Sequence, residues 1–124
     1  MYKVKIISKF SGAHSLRNYE GKCESLHGHN WKVEVALSSQ VLDCAGMVMD
    51  FTEMKKETEY ILDELDHKHL NEIDYFKKHN PSSEEIARYI FDKLKVQIAS
   101  RSVSIEEVSV WETDTSCAVY REQS

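Results

Sequence analysis

Trp31-Lys32-Val33-Glu34-Val35-Ala36-Leu37-Ser38 alternates between core-seeking and outward-facing positions along its length. Successive side chains of an extended chain point to opposite faces, so the stretch reads as a β-strand with Trp31, Val33, Val35 and Leu37 on one side. The same period opens the chain, where Tyr2, Val4, Ile6 and Phe10 alternate with Lys3, Lys5 and Lys9. After the second strand the period changes. Asp50, with Glu53 three residues on, has the form of a capping box, and Met54, Thr58, Ile61, Leu62 and Leu65 follow at helical spacing. Asn80-Pro81-Ser82 announces a second helix with Ser82 as N-cap and Glu85 facing back to it. Ala87, Ile90, Phe91, Leu94 and Ile98 line one face of that helix. Two further strands, around Val108–Val110 and Cys117–Tyr120, are joined by a polar turn at Asp114-Thr115-Ser116. The order is strand, strand, helix, helix, strand, strand. Each helix has a single apolar stripe, so both are expected on one face of an antiparallel sheet, an α+β arrangement. The other sheet face keeps some apolar residues, and a neighbouring subunit is the expected cover.

The 124 residues suit one domain spanning 1–124, long enough to bury a core without disulfides. No internal repeat or low-complexity tract interrupts it, and Glu20-Gly21 and Ala45-Gly46 mark loops rather than linkers. The net charge of −5 and the absence of any Lys/Arg cluster argue against nucleic acid or an anionic membrane as partner. No apolar run approaches the ~20 residues of a membrane span. The opening Met1–Lys5 lacks a signal peptide's apolar block. Three cysteines, Cys23, Cys44 and Cys117, are an odd number and suit free thiols in a reducing compartment, so a cytoplasmic location is expected.

The chemistry concentrates in Cys23-Glu24-Ser25-Leu26-His27-Gly28-His29. Two histidines two apart on an extended segment face the same way, with Gly28 leaving room between them. If the first two strands form a hairpin, the loop from Ser15 to Leu26 returns His14 to a place across from His27 and His29. Three imidazoles converging in this way suit Zn²⁺ with one position open, a catalytic arrangement. Cys23 reads as a base or nucleophile whose thiol loses its proton more easily beside a cation, as a fourth ligand of a closed structural site, or as a small buried hydrophobe. Asp66-His67 supplies an oriented proton donor, or simply a histidine placed at a helix end by the dipole. Glu112 continues the face of Val108 and Val110, where a carboxylate needs a partner, unless the strand end is exposed.

Beyond these local patterns, the chain resembles the 6-pyruvoyl-tetrahydropterin and 6-carboxy-tetrahydropterin synthase family over essentially its whole length. The matching segments are Phe10–His14, Cys23–Asn30, Gly46–Phe51, Leu65-Asp66-His67 with Leu70-Asn71, Asn80–Glu84 and Trp111-Glu112-Thr113. The resemblance implies a tunnelling fold, a four-stranded antiparallel sheet with two helices on one face. It also implies trimers stacked into hexamers, with sites between subunits.

By the same resemblance, Zn²⁺ on His14, His27 and His29 would bind the side-chain hydroxyls of 7,8-dihydroneopterin triphosphate. Cys23 would be the base, Asp66 and His67 would move protons, and Glu112 would anchor the amino-pyrimidine edge. Ser82, Ser83 and Glu84 fall in the pterin-pocket motif, with Ser82 where threonine is usual. Three residues separate Cys23 from His27, which points to the carboxy branch of queuosine biosynthesis, with loss of acetaldehyde and triphosphate. The pyruvoyl synthase and a non-catalytic zinc or pterin-binding module are the alternatives, and the resemblance leaves room for an additional Mg²⁺.

Overall fold

The two alternating stretches form one long hairpin in the computed structural model, which describes residues 1–19, 21 and 24–123. Strand β1 (Tyr2–His14) pairs antiparallel with β2 (His27–Ser39) from Tyr2↔Ser39 through Phe10↔Trp31 and Gly12↔His29 to His14↔His27. Ile6 and Phe10 on β1 share a buried face with Trp31, Val33, Val35 and Leu37 on β2. Strand β4 (Ser104–Thr113) joins β2 antiparallel with Val33↔Val110 and Val35↔Val108, and β5 (Ser116–Tyr120) closes that edge. The expected antiparallel sheet is present, with an addition. A two-residue strand β3 (Lys68–His69) runs parallel to the other edge of β1, so the order is β3-β1-β2-β4-β5.

Helices α1 (Phe51–Leu62) and α3 (Ser83–Gln97) cover one sheet face. Met54, Thr58, Ile61 and Leu62 face inward from α1, and Ile86, Ala87, Tyr89, Ile90, Phe91 and Leu94 from α3. Both N-caps form, but neither capping box closes. The Asp50 carboxylate accepts from the Thr52 N–H at 2.8 Å, whereas Glu53 is drawn to Arg101. The Ser82 hydroxyl accepts from the Glu85 N–H at 3.2 Å, whereas the Glu85 carboxylate takes the Tyr75 hydroxyl at 2.8 Å. In each case a tertiary partner outcompetes the cap's own backbone.

Residues 63–79 hold what periodicity did not show: β3, a 3₁₀ turn (Leu70–Glu72) and a short helix α2 (Asp74–Lys78). Leu70 and Phe76 from this segment are fully buried. Two asparagines tie it to the chain leaving β1. The Asn71 side chain accepts from the Ser15 N–H (2.9 Å) and donates to the Ser15 carbonyl (2.8 Å). Asn80 does the same with the Arg17 N–H and carbonyl, both at 2.8 Å. Each carboxamide thus imitates a strand neighbour and satisfies two backbone groups that have left the sheet.

Among the described residues the opposite sheet face carries no helix. Lys3, Lys5, Ile7, Lys9, Lys32 and Val119 project from it, with Ile7 half-exposed. Trp111 lies there beneath the Lys32 ammonium, 4.4 Å from the ring centroid, and its buried Nε1–H has no partner among the described residues. No helix among the described residues is long and apolar enough to cross a membrane.

Phe76→Ala should lower the unfolding free energy by about 3–5 kcal/mol, the usual cost of emptying an aromatic site. Urea denaturation measures it, and a loss below about 1 kcal/mol would show that residues 70–79 lie outside the cooperative core.

Candidate metal centre

The hairpin register builds the site. His14 and His27 are opposed at the end of the ladder, and His29 stands opposite Gly12 one step inward. All three histidines therefore share the face of Phe10 and Trp31. Gly12 is the tight place, since a Cβ there would lie 3.2 Å from the Phe10 ring and 3.4 Å from the Leu65 carbonyl and would press those neighbours back by a few tenths of an ångström. Trp31 floors the group, with its ring 5.0 Å from His14 and 5.2 Å from His29 and its Nε1–H donated to the Gly12 carbonyl at 3.1 Å.

His14 is 1% exposed. Its Nδ1 lies 2.7 Å from the Pro81 carbonyl, and the His27 Nδ1 lies 2.8 Å from the Ser25 carbonyl. A carbonyl only accepts, so in each neutral ring the proton is held on Nδ1 and Nε2 turns its lone pair inward. Those Nε2 atoms are 3.1 Å apart. The Glu112 Oε1 stands 3.2 Å from the Nε2 of both His14 and His29. The His29 Nε2 is buried and, among the described residues, has no hydrogen-bond partner, although the Glu112 Oε1 stands 3.2 Å away.

Together, one donor atom from each of His14, His27, His29 and Glu112 lies within 4.8 Å of the others. Acceptors packed this closely repel one another unless a cation stands among them, so the group could hold a metal ion. Burial pushes the His29 imidazole below its ordinary value of 6.5, against the pull of Glu112 and with help from the like charges of His14 and His27. The neutral, metal-ligating form is thereby favoured.

Asp66 and His67 stand to one side of the four donors. The Asp66 carboxylate accepts from the Ser11 N–H at 2.9 Å and stands 3.1 Å from the His67 Nδ1. The Ser11 N–H holds Asp66 below the usual carboxylate range, with His67 adding to the effect. His67 adopts the left-handed conformation (φ 57°), donates its N–H to the Ser11 carbonyl and leaves its ring 82% exposed. His67 lines a hollow of about 440 Å³ together with His29, Ser11, Ala13, Gly28 and Asn30, so it borders the histidine cluster without bonding to it. Among the described residues no hydrogen bond or ion pair joins His67 to the three histidines. Cys23 lies outside the described residues. Ser83, Glu84 and Glu112 line a hollow of about 190 Å³ with Ser116, Cys117 and Ala118. The Ser82 hydroxyl is already engaged as a helix cap.

Some contributors carry no sequence signal. The Pro81 and Ser25 carbonyls act through backbone positions alone. Glu24 accepts from the Leu16 N–H at 3.2 Å and places Oε1 3.7 Å from the His27 Nε2, which its spacing of three residues from His27 would have allowed one to suspect.

The sequence matches the family described as 6-pyruvoyl tetrahydropterin synthase over residues 3–123. The chain belongs to that family. It is 32% identical over 144 residues to the 6-carboxy-5,6,7,8-tetrahydropterin synthase of Haemophilus influenzae, covering 98% of this chain and all of that one. It is 34% identical over 139 residues to the putative 6-pyruvoyl tetrahydrobiopterin synthase of Caenorhabditis elegans, covering 98% and 99%. Among solved structures, Caenorhabditis elegans 6-pyruvoyl tetrahydropterin synthase matches with a TM-score of 0.83 at 28% identity, covering 98% of this chain and 96% of that one. The tunnelling fold of these tetrahydropterin synthases is therefore the fold of this chain. Its relatives carry the names of both products, so membership alone leaves the specific activity open.

In the metal-free protein, the lowered His29 value makes the unfolded chain bind the proton first as pH falls below 6.5. Stability should therefore drop on acidification through that range, and His29→Asn should flatten this part of the profile. Asp66 is shifted in the same direction but acts in a lower window: its contribution is present above 3.8 and lost as pH falls through its depressed folded value. Denaturation at stepped pH with a chelator present separates the two, and an unchanged slope in His29→Asn would exclude His29 as the source.

Proposed function

We propose that this chain is a zinc-dependent lyase that converts 7,8-dihydroneopterin triphosphate to 6-carboxy-tetrahydropterin, releasing acetaldehyde and triphosphate, in the cytoplasmic route to queuosine. The observation that carries the proposal is the convergence of His14, His27 and His29, two of them with Nδ1 tied to a carbonyl and the third with an unpartnered buried Nε2. Such neutral imidazoles suit Zn²⁺. When bound there, the ion supplies Lewis acidity toward the hydroxyls of the substrate side chain.

The family resemblance supplies the assignment of Cys23, which would remove a carbon-bound proton as its thiolate; the other assignments draw on where each described group stands. Asp66 holds the His67 ring by Nδ1, leaving the opposite nitrogen free to give or take a proton. That pair faces the uncovered sheet surface, so we assign it to a site shared with a neighbouring subunit. The open face, with Ile7, Val119 and the unpartnered Trp111 indole, supports burial in a trimer barrel and stacking into a hexamer. The amino-pyrimidine edge of the pterin would enter the hollow lined by Ser83, Glu84 and Glu112, with charge-assisted bonds to the Glu112 carboxylate. Ser82 contributes chiefly by capping the helix that carries its two neighbours.

The three residues between Cys23 and His27 favour the carboxy product. The second reading, a 6-pyruvoyl synthase, draws on the Caenorhabditis elegans relative, whose name carries that product. Mass spectrometry of zinc-loaded protein incubated with 7,8-dihydroneopterin triphosphate decides between them. Carboxy-tetrahydropterin with acetaldehyde is expected, pyruvoyl-tetrahydropterin would replace the first reading by the second, and unchanged substrate would refute both. Cys23→Ala should cut turnover by about 10²–10⁴-fold with zinc content and melting temperature retained. Full activity in that variant would remove Cys23 from the mechanism. Light scattering should show a trimer or hexamer, and a monomer at dilute concentration would refute the shared site.

A further inference from the structure

We propose that Glu112 is the fourth donor of the metal centre in the substrate-free protein, closing it until an arriving pterin draws the carboxylate away. This rests on the metal reading above and adds to it a resting state.

The distances carry the inference. Four ligands around a tetrahedral ion with bonds of about 2.0–2.1 Å lie about 3.3–3.4 Å from one another. The His14 and His27 Nε2 atoms are 3.1 Å apart, and the Glu112 Oε1 is 3.2 Å from the Nε2 of both His14 and His29. The carboxylate oxygen thus stands at a coordination-neighbour spacing from two of the three histidines, with all four donors within 4.8 Å of one another, where a three-histidine site would be expected to stand open.

Strand β4 puts it there. Val108 and Val110 turn into the core beside Val35 and Val33, and Glu112, two further on at an irregularity in the β4–β5 ladder, emerges on the same side, against His14 and His29. It is the first position of that face beyond the hydrophobic stretch, and its two methylenes span the remaining gap. Only Oε1 is engaged, and Oε2 has no hydrogen-bond partner among the described residues.

Release is equally built in. The Glu112 side chain is 33% exposed, against 1% for His14, and it also lines the hollow with Ser83 and Glu84. A ligand offering two N–H donors in that hollow would compete for the same carboxylate. Its departure would free one coordination position as the pterin seats, which couples recognition of the ring to opening of the reactive centre.

Cobalt(II) titration of the chelator-stripped full-length protein tests this, because the visible bands of Co²⁺ report its coordination independently of turnover. The wild type should bind one Co²⁺ with a four-coordinate spectrum that added azide leaves unchanged. Glu112→Gln should bind Co²⁺ at least 10–100-fold more weakly, the range lost with supporting groups of metal sites, and its spectrum should shift with azide. Neopterin, which carries the ring edge without the reactive phosphate ester, should shift the wild-type bands toward those of the variant. Glu112→Ala, with its melting temperature measured beside it, guards against a folding defect in the first variant. Equal cobalt affinity and equal azide response in wild type and both variants would overturn the role of Glu112 and leave the three-histidine centre standing. A wild type that takes up no cobalt would overturn the metal centre itself.

Discussion

The antiparallel register of β1 on β2 is the constraint from which the rest of the site follows. Phe10↔Trp31, Gly12↔His29 and His14↔His27 are successive steps on one face of a single ladder. A slip of one residue would turn the whole apolar set of one strand to the other face, so hydrophobic burial and histidine convergence are enforced by the same pairing. Trp31 links the two demands directly. It stacks on Phe10 in the core, with centroids 5.9 Å apart, and lies edge-on to His14 and His29 at the site. The metal centre is thus the polar end of the hydrophobic core, not a feature attached to it.

Convergence from two strands would be imprecise without control of ring orientation, and that control comes from outside the hairpin. The carbonyl of Pro81, at the entrance to α3, fixes the tautomer of His14. Asn71 and Asn80 fix the chain just beyond it through paired bonds to Ser15 and Arg17. Leu70 and Phe76 bury the segment that carries those asparagines. The short elements between the two main helices therefore act at a distance, as a brace on one imidazole. Groups of this kind raise ligand basicity and hold geometry while touching neither metal nor substrate.

What was legible in the sequence, and what was not, divides along this line. Strands with period two and helices with one apolar stripe announce themselves, because burial is written into residue type. His27 and His29 could be read from their spacing, and His14 from the hairpin. Residues 63–79 could not be read this way. A two-residue strand and a five-residue helix are shorter than any period, and they are held by Asn71 and Asn80, whose partners are backbone groups distant in sequence, and by the burial of Leu70. The capping boxes at Asp50 and Ser82 failed halfway for a related reason: Arg101 and Tyr75, unseen as neighbours, took the acidic partner. Glu112 was recognisable as an acid on a buried face, but its approach to His14 and His29 depends on β4 pairing with β2, a contact across some seventy residues of chain.

The position of Asp66 and His67 is the harder case, because here the local structure is clear and the fold alone does not account for it. His67 accepts a left-handed backbone, an unfavourable choice for any residue but glycine, and in return Ser11 is bonded at both its N–H and its carbonyl. The edge of β1 is thereby finished without a full neighbouring strand. A plain turn would finish it more cheaply with glycine at that position. Instead the strained residue is a histidine, oriented by the preceding carboxylate and presented on the sheet face that has no cover. Strain retained at a titratable, oriented and exposed side chain marks a group kept for something other than the fold. The buried donor cluster turns toward the helices and the oriented, exposed His67 toward solvent, and the two meet along the hollow that His29 and His67 both line.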